Sequence, residues 1–189
     1  MIPRFAALLW FLLVVSPSLH AQGVLPDKSE IRFISKQMGA NVEGKFRKFK
    51  ANVIFLPGNL PASKAELEID LNSIDLASEE AEIEAKRKPW FNTQVFPIAK
   101  FASAAVKNIG GDRYEMTGKL TIKGISKDLV IPITLKRDSS GTQTAEGSFA
   151  LRRLEFKLGE GPWADTDTVA DDIAVRVRMV LPPASAAKK

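Results

Sequence analysis

The sequence contains no cysteine and only one histidine, His20, among its 189 residues. The absence of cysteine excludes a disulfide, a thiolate metal site, a thiol nucleophile and a lipid-modified cysteine. Because His20 lies within a predicted signal peptide, the mature chain would contain neither residue. This excludes Ser-His-Asp and Cys-His catalysis and the usual zinc and copper ligands. Carboxylate or lysine chemistry stays open but no motif supports it, so we expect no catalytic residues, no metal and no enzymatic activity.

Long hydrophobic runs are also scarce, and the one that exists lies at the N-terminus. Residues 5–15 are eleven consecutive apolar residues, preceded by Arg4 and followed by Ser16-Pro17-Ser18 and then Ala21. This order of charge, apolar core and small residue is typical of a secretory signal peptide. As a helix the run would rise only about 16 Å, roughly half of a bilayer core. We expect cleavage after Ala21 and a periplasmic protein; a membrane anchor or a buried helix is the alternative.

The basic residues of the sequence form no concentrated block. Removal of Arg4 with the signal peptide lowers the net charge from +5 to +4, and the basic residues are spread along the chain. We therefore do not expect nucleic acid as a partner. No later segment is apolar enough to predict stable membrane insertion.

Most of the remaining chain alternates apolar and polar residues with a period of two. This pattern is typical of antiparallel strands that have one apolar and one wet face. The run that begins at residue 42 changes phase near Arg47-Lys48, which predicts a β-bulge. The eight predicted strands are residues 29–37, 42–55, 64–71, 99–109, 114–123, 128–136, 142–154 and 173–181.

One insertion interrupts the strand pattern. Residues 78–88 begin with Ser78 as a helix N-cap, continue with acidic residues and end with basic residues before Pro89. This order complements a helix dipole and predicts a short helix, whose acidic side we expect to be solvated. We predict a loop at residues 155–170, a single domain over residues 22–181 and a flexible tail at residues 182–189. The fold class expected is all-β: an eight-stranded antiparallel up-and-down barrel with one short helix, or otherwise a sandwich.

A barrel of eight strands is either filled by its own side chains or holds one small apolar ligand. Small residues at predicted inward positions favour an open interior: Gly44, Ala51, Ala65, Ala99, Ser103, Ala105, Gly118, Ala145 and Gly147. The large apolar residues predicted to line a ligand-binding bore are Ile31, Phe33, Phe46, Phe49, Leu67, Ile69, Phe101, Met116, Leu120, Ile131, Ile133, Phe149, Leu151 and Val175. The alternative for each is ordinary core packing.

Five residues are candidates for the mouth of the bore, three of them aromatic residues in connecting segments. Trp90, Phe91 and Trp163 are aromatic residues that could cap it, or could instead attach the helix and loop to the sheet. Arg87 and Arg152 could meet a phosphate or acidic head group, as could Lys86, Lys88 and Arg153, or these residues could instead be solvated on the barrel exterior.

Four blocks of sequence resemble the YceI-like family of periplasmic lipid-binding proteins. They are residues 37–55, residues 87–91 with 96–101, residues 118–127 with Pro132, and residues 153–156 with 159–165. The resemblance implies a lipocalin-like barrel that holds a long isoprenoid or another amphiphilic lipid, and it brings no catalytic residues. The chain departs from the commoner family pattern at Asp27-Lys28-Ser29, which lacks a histidine, and at Lys123, where some members have histidine.

Two functions from different classes follow from these observations. The first is a periplasmic binding protein that carries, stores or senses a hydrophobic small molecule, such as an isoprenoid, an isoprenoid quinone or a fatty-acid-like lipid, with that lipid as its only bound group. The second is a sealed structural or interaction domain that works through its outer surface. We expect a monomer or a homodimer in either case.

Overall fold

A computed structural model describes residues 22–183 of the chain. The predicted signal peptide, and all of the predicted tail beyond residue 183, lie outside the described residues. The strands are β1 (Gln22–Gly23), β2 (Glu30–Gln37), β3 (Ala40–Phe46), β4 (Phe49–Ile54), β5 (Lys64–Asp70), β6 (Ile74–Asp75), β7 (Ile98–Gly110), β8 (Arg113–Ile122), β9 (Ile125–Arg137), β10 (Gln143–Arg152) and β11 (Asp172–Leu181). One α-helix, α1 (Glu79–Lys86), lies between β6 and β7.

The eleven strands form one antiparallel sheet that curls back on itself. Ladders run from β4 through β5, β7, β8, β9, β10 and β11 to β2 and β3. The chain itself then joins β3 to β4 through Arg47 and Lys48. The all-β antiparallel architecture with one short helix is confirmed. A count of eight strands is not confirmed, because residues 42–55 form two strands and the two-residue strands β1 and β6 were not predicted.

The division between β3 and β4 explains the change of phase in the sequence. The backbone N–H of Arg47 donates to the carbonyl oxygen of Ser73 at 3.0 Å, and that of Lys48 donates to Ser73 Oγ at 2.9 Å. Ser73 is buried in a short 3₁₀ turn that separates β5 from β6. The break between β3 and β4 therefore lies beside the break between β5 and β6 in the paired sheet. Alternate residues of β3 and β4 stay on the inner face, as a bulge would achieve.

Helix α1 forms as the sequence predicts, because its ends carry matching signals. Ser78 Oγ accepts a hydrogen bond from the backbone N–H of Ala81 at 3.2 Å. Three glutamates occupy the first turn and Lys86 occupies the last, which complements the helix dipole. Among residues 22–183 no helix is both long enough and apolar enough to cross a membrane.

The wall of the barrel is incompletely paired between β9 and β10. These strands share only five residue pairs, ending at Gly147 opposite Ile133. The next residue of β9 is Pro132, which has no backbone N–H to donate to a further ladder bond. Beyond this point the β8–β9 hairpin is joined to the chain after β10 by a side chain, since Lys123 Nζ donates to the carbonyl oxygen of Lys157 at 2.8 Å.

The interior far from α1 is packed by its own side chains. Buried residues here include Phe101 and Val106, and the rings of Phe55 and Tyr114 meet edge to face at 5.2 Å. The ring of Phe101 lies where a side chain at Gly118 would be: a Cβ there would come within 2.5 Å of Phe101 Cζ and of the Ala102 carbonyl oxygen. The glycine therefore admits a neighbouring ring and leaves no open space.

Several of the small residues predicted to leave the interior open behave in the same way. Side chains at Gly44 and Gly147 would collide with Phe33 and Ile133 respectively. Ala105 is exposed, which corrects its predicted inward position, because the β7–β8 register shifts between Ser103 and Ala105. Only Ala99 of the nine small residues lines the cavity described below.

Replacing Gly118 with alanine is expected to lower the free energy of unfolding by about 1–3 kcal/mol, because the added methyl group requires Phe101 or the β7 backbone to move. Gly58→Ala is the matched control, since a Cβ at Gly58 has no neighbour within 4 Å. Its expected effect is within about 0.5 kcal/mol. Urea denaturation of both variants measures the difference, and equal stabilities would contradict the packing of Phe101 against Gly118.

Candidate ligand-binding cavity

A cavity of about 430 Å³ occupies the end of the barrel next to α1. Cavities that bind small molecules commonly lie between about 300 and 1,000 Å³. Its apolar lining comprises Ile31, Phe33, Val42, Phe46, Ile69, Leu71, Ile74, Leu76, Ala81, Ala85, Trp90, Phe91, Ala99, Leu120, Ile122, Phe149, Leu151, Leu158, Trp163, Val169, Ile173 and Val175. Its polar lining comprises Ser35, Gln37, Glu80, Glu84 and Arg153. The composition suits an oily guest with a small polar part.

The structure separates the predicted bore residues into two groups. Eight of them line the cavity: Ile31, Phe33, Phe46, Ile69, Leu120, Phe149, Leu151 and Val175. Six lie outside its lining, in the core or packed against it: Phe49, Leu67, Phe101, Met116, Ile131 and Ile133. A period of two identifies the inner face of a strand but not the depth along the barrel, so the sequence could not make this division. Contact of any of these residues with a ligand stays a prediction.

Aromatic rings form one side of the cavity. Phe33 lies opposite Gly44 in the β2–β3 ladder, and its ring occupies the space that the glycine leaves free. The centroids of Phe33 and Phe46 are 5.6 Å apart, and those of Phe46 and Phe91 are 6.1 Å apart. Phe33, Phe46, Phe91 and Phe149 are each only half-buried although they face inward. Phe55 and Tyr114 at the packed end are partly buried as well, so the unfilled interior is shown by the cavity itself.

The aromatic mouth candidates lie together over the cavity. The rings of Trp90 and Trp163 are 5.8 Å apart, and both line the cavity with Phe91. Trp163 Nε1 donates to Glu84 Oε1 at 3.0 Å, which joins the segment after β10 to helix α1. These contacts form a cover that consists of α1, the chain that follows it and the chain around Trp163.

The two predicted basic mouth residues lie elsewhere, and this corrects their expected position. Arg87 is exposed and donates to Glu84 Oε2 at 3.0 Å, outside the cavity lining. Arg152 is also exposed and pairs with Asp171 at 3.1 Å. On strand β10 the even-numbered positions face outward, so Arg152 points away from Phe149 and Leu151. Glu80 and Glu84 border the cavity. Glu79 and Glu80 are exposed, as expected of a solvated acidic side, whereas Glu82 and Glu84 are partly buried.

Among residues 22–183 the most deeply buried charged residue is Arg153, which the sequence indicates only as one of several basic residues that could meet a head group. Its side chain is about 1% exposed and lies 5.7 Å from the Trp90 ring centroid. All five of its N–H groups are in use: Nε donates to Ala170 O, Nη1 to Leu158 O and Gly159 O, and Nη2 to Trp163 O and Val169 O, over distances of 2.6–3.2 Å. The signal was present, since the alternation that places Phe149 and Leu151 inward continues to residue 153.

Burial and nearby acids have opposite effects on this guanidinium. Desolvation lowers the pKa of Arg153, while the charges of Asp171 and Asp165 oppose the change. The direct partners are carbonyl dipoles, and they come from residues 158–170, a segment with little regular structure. Arg153 therefore holds the irregular chain above the cavity in one conformation.

Lys123 makes a second set of hydrogen bonds to the cover, in addition to those of Arg153. Its Nζ donates to Lys88 O at 3.0 Å, to Lys157 O at 2.8 Å and to Glu160 Oε2 at 2.9 Å. Its side chain is only 9% exposed. The ammonium group lowers the pKa of Glu160 below its ordinary value through this hydrogen bond. Lys123 thus joins the β8–β9 hairpin to both segments of the cover.

No group of three or more histidine, cysteine, aspartate or glutamate residues within the described part of the chain is arranged to hold a metal ion. The carboxylates of the long loop instead bind neighbouring groups of the protein. Asp171 Oδ1 accepts from the backbone N–H of Leu154 at 2.9 Å, and Asp165 Oδ2 accepts from Thr168 Oγ1 at 2.8 Å.

Solved structures with the same fold exist in several bacteria. BcnA of Burkholderia cenocepacia superposes with a TM-score of 0.80 and 37% identity, over 83% of this chain and 98% of BcnA. A polyisoprenoid-binding domain from Saccharophagus degradans superposes with a TM-score of 0.69 over 88% of this chain and 99% of that domain. Its identity is 13%, so this second likeness is one of fold alone.

The chain also has sequence relatives that are named UPF0312 proteins. A UPF0312 protein of Photorhabdus laumondii is 31% identical over 126 residues, which cover 63% of this chain and 65% of the relative. The aligned stretch thus spans slightly less than two thirds of that relative. The YceI-like domain matches residues 23–181. The chain belongs to the YceI-like family, which confirms the resemblance seen in the sequence.

Replacing Arg153 with methionine is expected to lower the free energy of unfolding by about 3–5 kcal/mol, because five buried carbonyl groups lose their donors. Arg152→Met is the matched control at the adjacent position. It removes one exposed ion pair and should cost about 0–1 kcal/mol. Chemical denaturation of the two variants measures the contrast; a cost for Arg153→Met no larger than that for Arg152→Met would show that the cover does not depend on Arg153.

Proposed function

We propose that the protein binds one long apolar or amphiphilic lipid, such as an isoprenoid, in the cavity beside α1. The observation that carries this proposal is an unfilled interior of about 430 Å³ whose lining is mainly aliphatic and aromatic. Membership of the YceI-like family supports it. The likeness of fold to a polyisoprenoid-binding domain agrees with it.

The energetics of such a complex are favourable without strong polar contacts. A lipid tail that buries about 400 Å² of apolar surface gains roughly 10 kcal/mol at about 25 cal/mol per Å². Loss of translation, rotation and chain flexibility removes a large part of this gain. The remainder corresponds to dissociation constants from about the millimolar to the micromolar range.

The proposed role is binding rather than catalysis, in the periplasm, with the lipid carried, stored or sensed. The predicted signal peptide supports export of the chain. The alternative, a sealed domain that acts through its surface, agrees less well with an unfilled cavity of about 430 Å³, because side chains would fill the interior of a sealed core.

Replacing Phe149 with glutamate is expected to abolish binding of a C20 isoprenoid alcohol, because the variant places a charge in the cavity. Ala150→Glu is the matched control, since Ala150 is the next residue of β10 and is exposed. It should bind with an affinity within about twofold of wild type. Displacement of a hydrophobic fluorophore measures both affinities.

Folding of the variants is checked by near-ultraviolet circular dichroism. A second variant, Val42→Trp, fills part of the cavity without burying a charge and should weaken binding by at least about tenfold. Wild-type affinity in folded Phe149→Glu and Val42→Trp proteins would overturn the assignment of the cavity as the binding site.

A further inference from the structure

The parts of the cover are fastened to the barrel by contacts of different strength. Residues 158–170 are held by the five hydrogen bonds of Arg153, which is about 1% exposed. The chain after α1 is held at Lys88, whose carbonyl oxygen accepts from Lys123 Nζ at 3.0 Å. Displacing either segment leaves buried polar groups without partners. Helix α1, which lies between β6 and Lys88, is attached by weaker contacts.

Helix α1 buries little apolar surface. Its sequence, EEAEIEAK, contains one large apolar residue, Ile83, and that residue is 47% exposed. The residues of the helix that border the cavity are Glu80, Ala81, Glu84 and Ala85. A helix of eight residues is unstable by itself in water, and most helices in proteins are stabilised by a packed apolar face. Two alanines supply little of that stabilisation, so we expect α1 to open locally at a low cost in free energy.

Two glutamates hold the helix to the rest of the protein. Glu82 Oε1 accepts from Arg47 Nη2 at 3.4 Å and from the backbone N–H of Leu76 at 3.3 Å. Bonds of this length are weak, and the Arg47 side chain is 57% exposed. Glu84 Oε1 accepts from Trp163 Nε1 at 3.0 Å in a partly buried position. The Glu84–Trp163 hydrogen bond is therefore the shorter and better buried of these contacts.

The last turn of α1 is fixed more firmly than its first turns. The backbone N–H of Phe91 donates to Ala85 O, and that of Thr93 donates to Lys86 O, both at 3.0 Å. Thr93 is only 6% exposed. At its other end the helix follows residues 77–78, which are exposed and link it to strand β6. The first turns can therefore move away from the barrel while the last turn stays in place as a hinge.

The rest of the described wall is closed more firmly than its α1 end. Antiparallel ladders join the neighbouring strands. Where the β9–β10 ladder stops, Lys123 Nζ donates to Lys157 O, and the adjacent Phe156 is 3% exposed. At the end far from α1, the rings of Phe55 and Tyr114 pack edge to face. The boundary of the cavity that opens at the lowest cost is therefore α1.

We infer that residues 77–84 are the gate of the cavity: they move away from the barrel to admit or release the ligand, and the Glu84–Trp163 hydrogen bond holds them closed. This inference rests on the proposed function and specifies the route of the ligand. A gate that is closed both before and after binding changes the association and dissociation rate constants by the same factor. It leaves the dissociation constant unchanged, because the two end states are the same.

The first test closes the gate with a reversible cross-link. The chain has no cysteine, so Arg47→Cys combined with Glu82→Cys supplies the only two thiols, which a bis-methanethiosulfonate reagent joins. Stopped-flow fluorescence measures the binding and release of 1-N-phenylnaphthylamine. Cross-linking should lower both rate constants at least about tenfold and leave the dissociation constant within about twofold. Reduction of the cross-link should restore both rates.

Lys119→Cys combined with Asp128→Cys is the matched control. These two residues form an exposed ion pair at 2.8 Å and lie opposite each other in the β8–β9 ladder. The same cross-link there joins strands that are already paired, so neither rate constant should change by more than about twofold. Near-ultraviolet circular dichroism checks that each cross-linked protein is folded.

The second test needs no ligand. Backbone amides of residues 82–84 should exchange with deuterium at least about 100-fold faster than those of residues 175–177, which lie in β11 between β10 and β2. Glu84→Ala should speed exchange at residues 82–84 a further tenfold or about that, because the bond to Trp163 is lost. Glu79→Ala is the matched control on the same helix, since Glu79 is exposed, and its effect should stay within about threefold.

The outcomes separate the gate from the function on which it rests. Unchanged rate constants in the folded, cross-linked protein would overturn the gate and leave ligand binding in place. Protection of residues 82–84 equal to that of β11, or equal exchange in the Glu84→Ala and Glu79→Ala variants, would likewise contradict it. Failure of the wild-type protein to bind either the fluorophore or an isoprenoid alcohol would overturn the proposed function, and the gate with it.

Discussion

The cavity persists because a single buried guanidinium holds its cover. The chain above the cavity contains short 3₁₀ turns and irregular backbone, so it lacks the ladder bonds that keep a strand in place. Arg153 replaces those bonds with five hydrogen bonds to carbonyl groups of residues 158–170. An apolar hollow gains free energy if its walls collapse inward, since that collapse restores lost contacts. A cover fixed to the barrel by a charge and by Lys123 cannot follow that collapse without leaving buried polar groups unpaired.

The two ends of the barrel differ because large and small inward residues are distributed differently along it. At the end far from α1, the ring of Phe101 lies over Gly118 of the neighbouring strand, and Phe55 meets Tyr114. At the α1 end, the ring of Phe33 lies over Gly44 of the neighbouring strand, and the ring of Phe46 packs beside it. Glycine thus lets a ring lie over the neighbouring strand at both ends of the barrel.

The sequence predicts the strands well because their inner and outer faces alternate strictly, and each of the eight predicted runs overlaps a strand. It predicts helix α1 because Ser78, the acidic first turn and Pro89 are local signals. It could not divide Phe149 from Phe101, since both face inward and only the stacking of eleven strands fixes their depth. It named Arg153 beside Arg87 and Arg152 as a possible head-group contact without separating them. Arg153 alone of these three lies inward, because it continues the alternation of β10 beyond its last apolar position.

The central claim is that the interior is hollow at the α1 end and solid at the other. Crystals of lipid-extracted protein under xenon pressure test this directly, because xenon enters dry apolar cavities that are large enough to hold it. Xenon density bordered by Phe33, Phe149 and Trp163, with none beside Phe101 and Met116, is the predicted result. An α1 end without xenon and filled by collapsed side chains, or xenon bound instead beside Phe101, would contradict the claim.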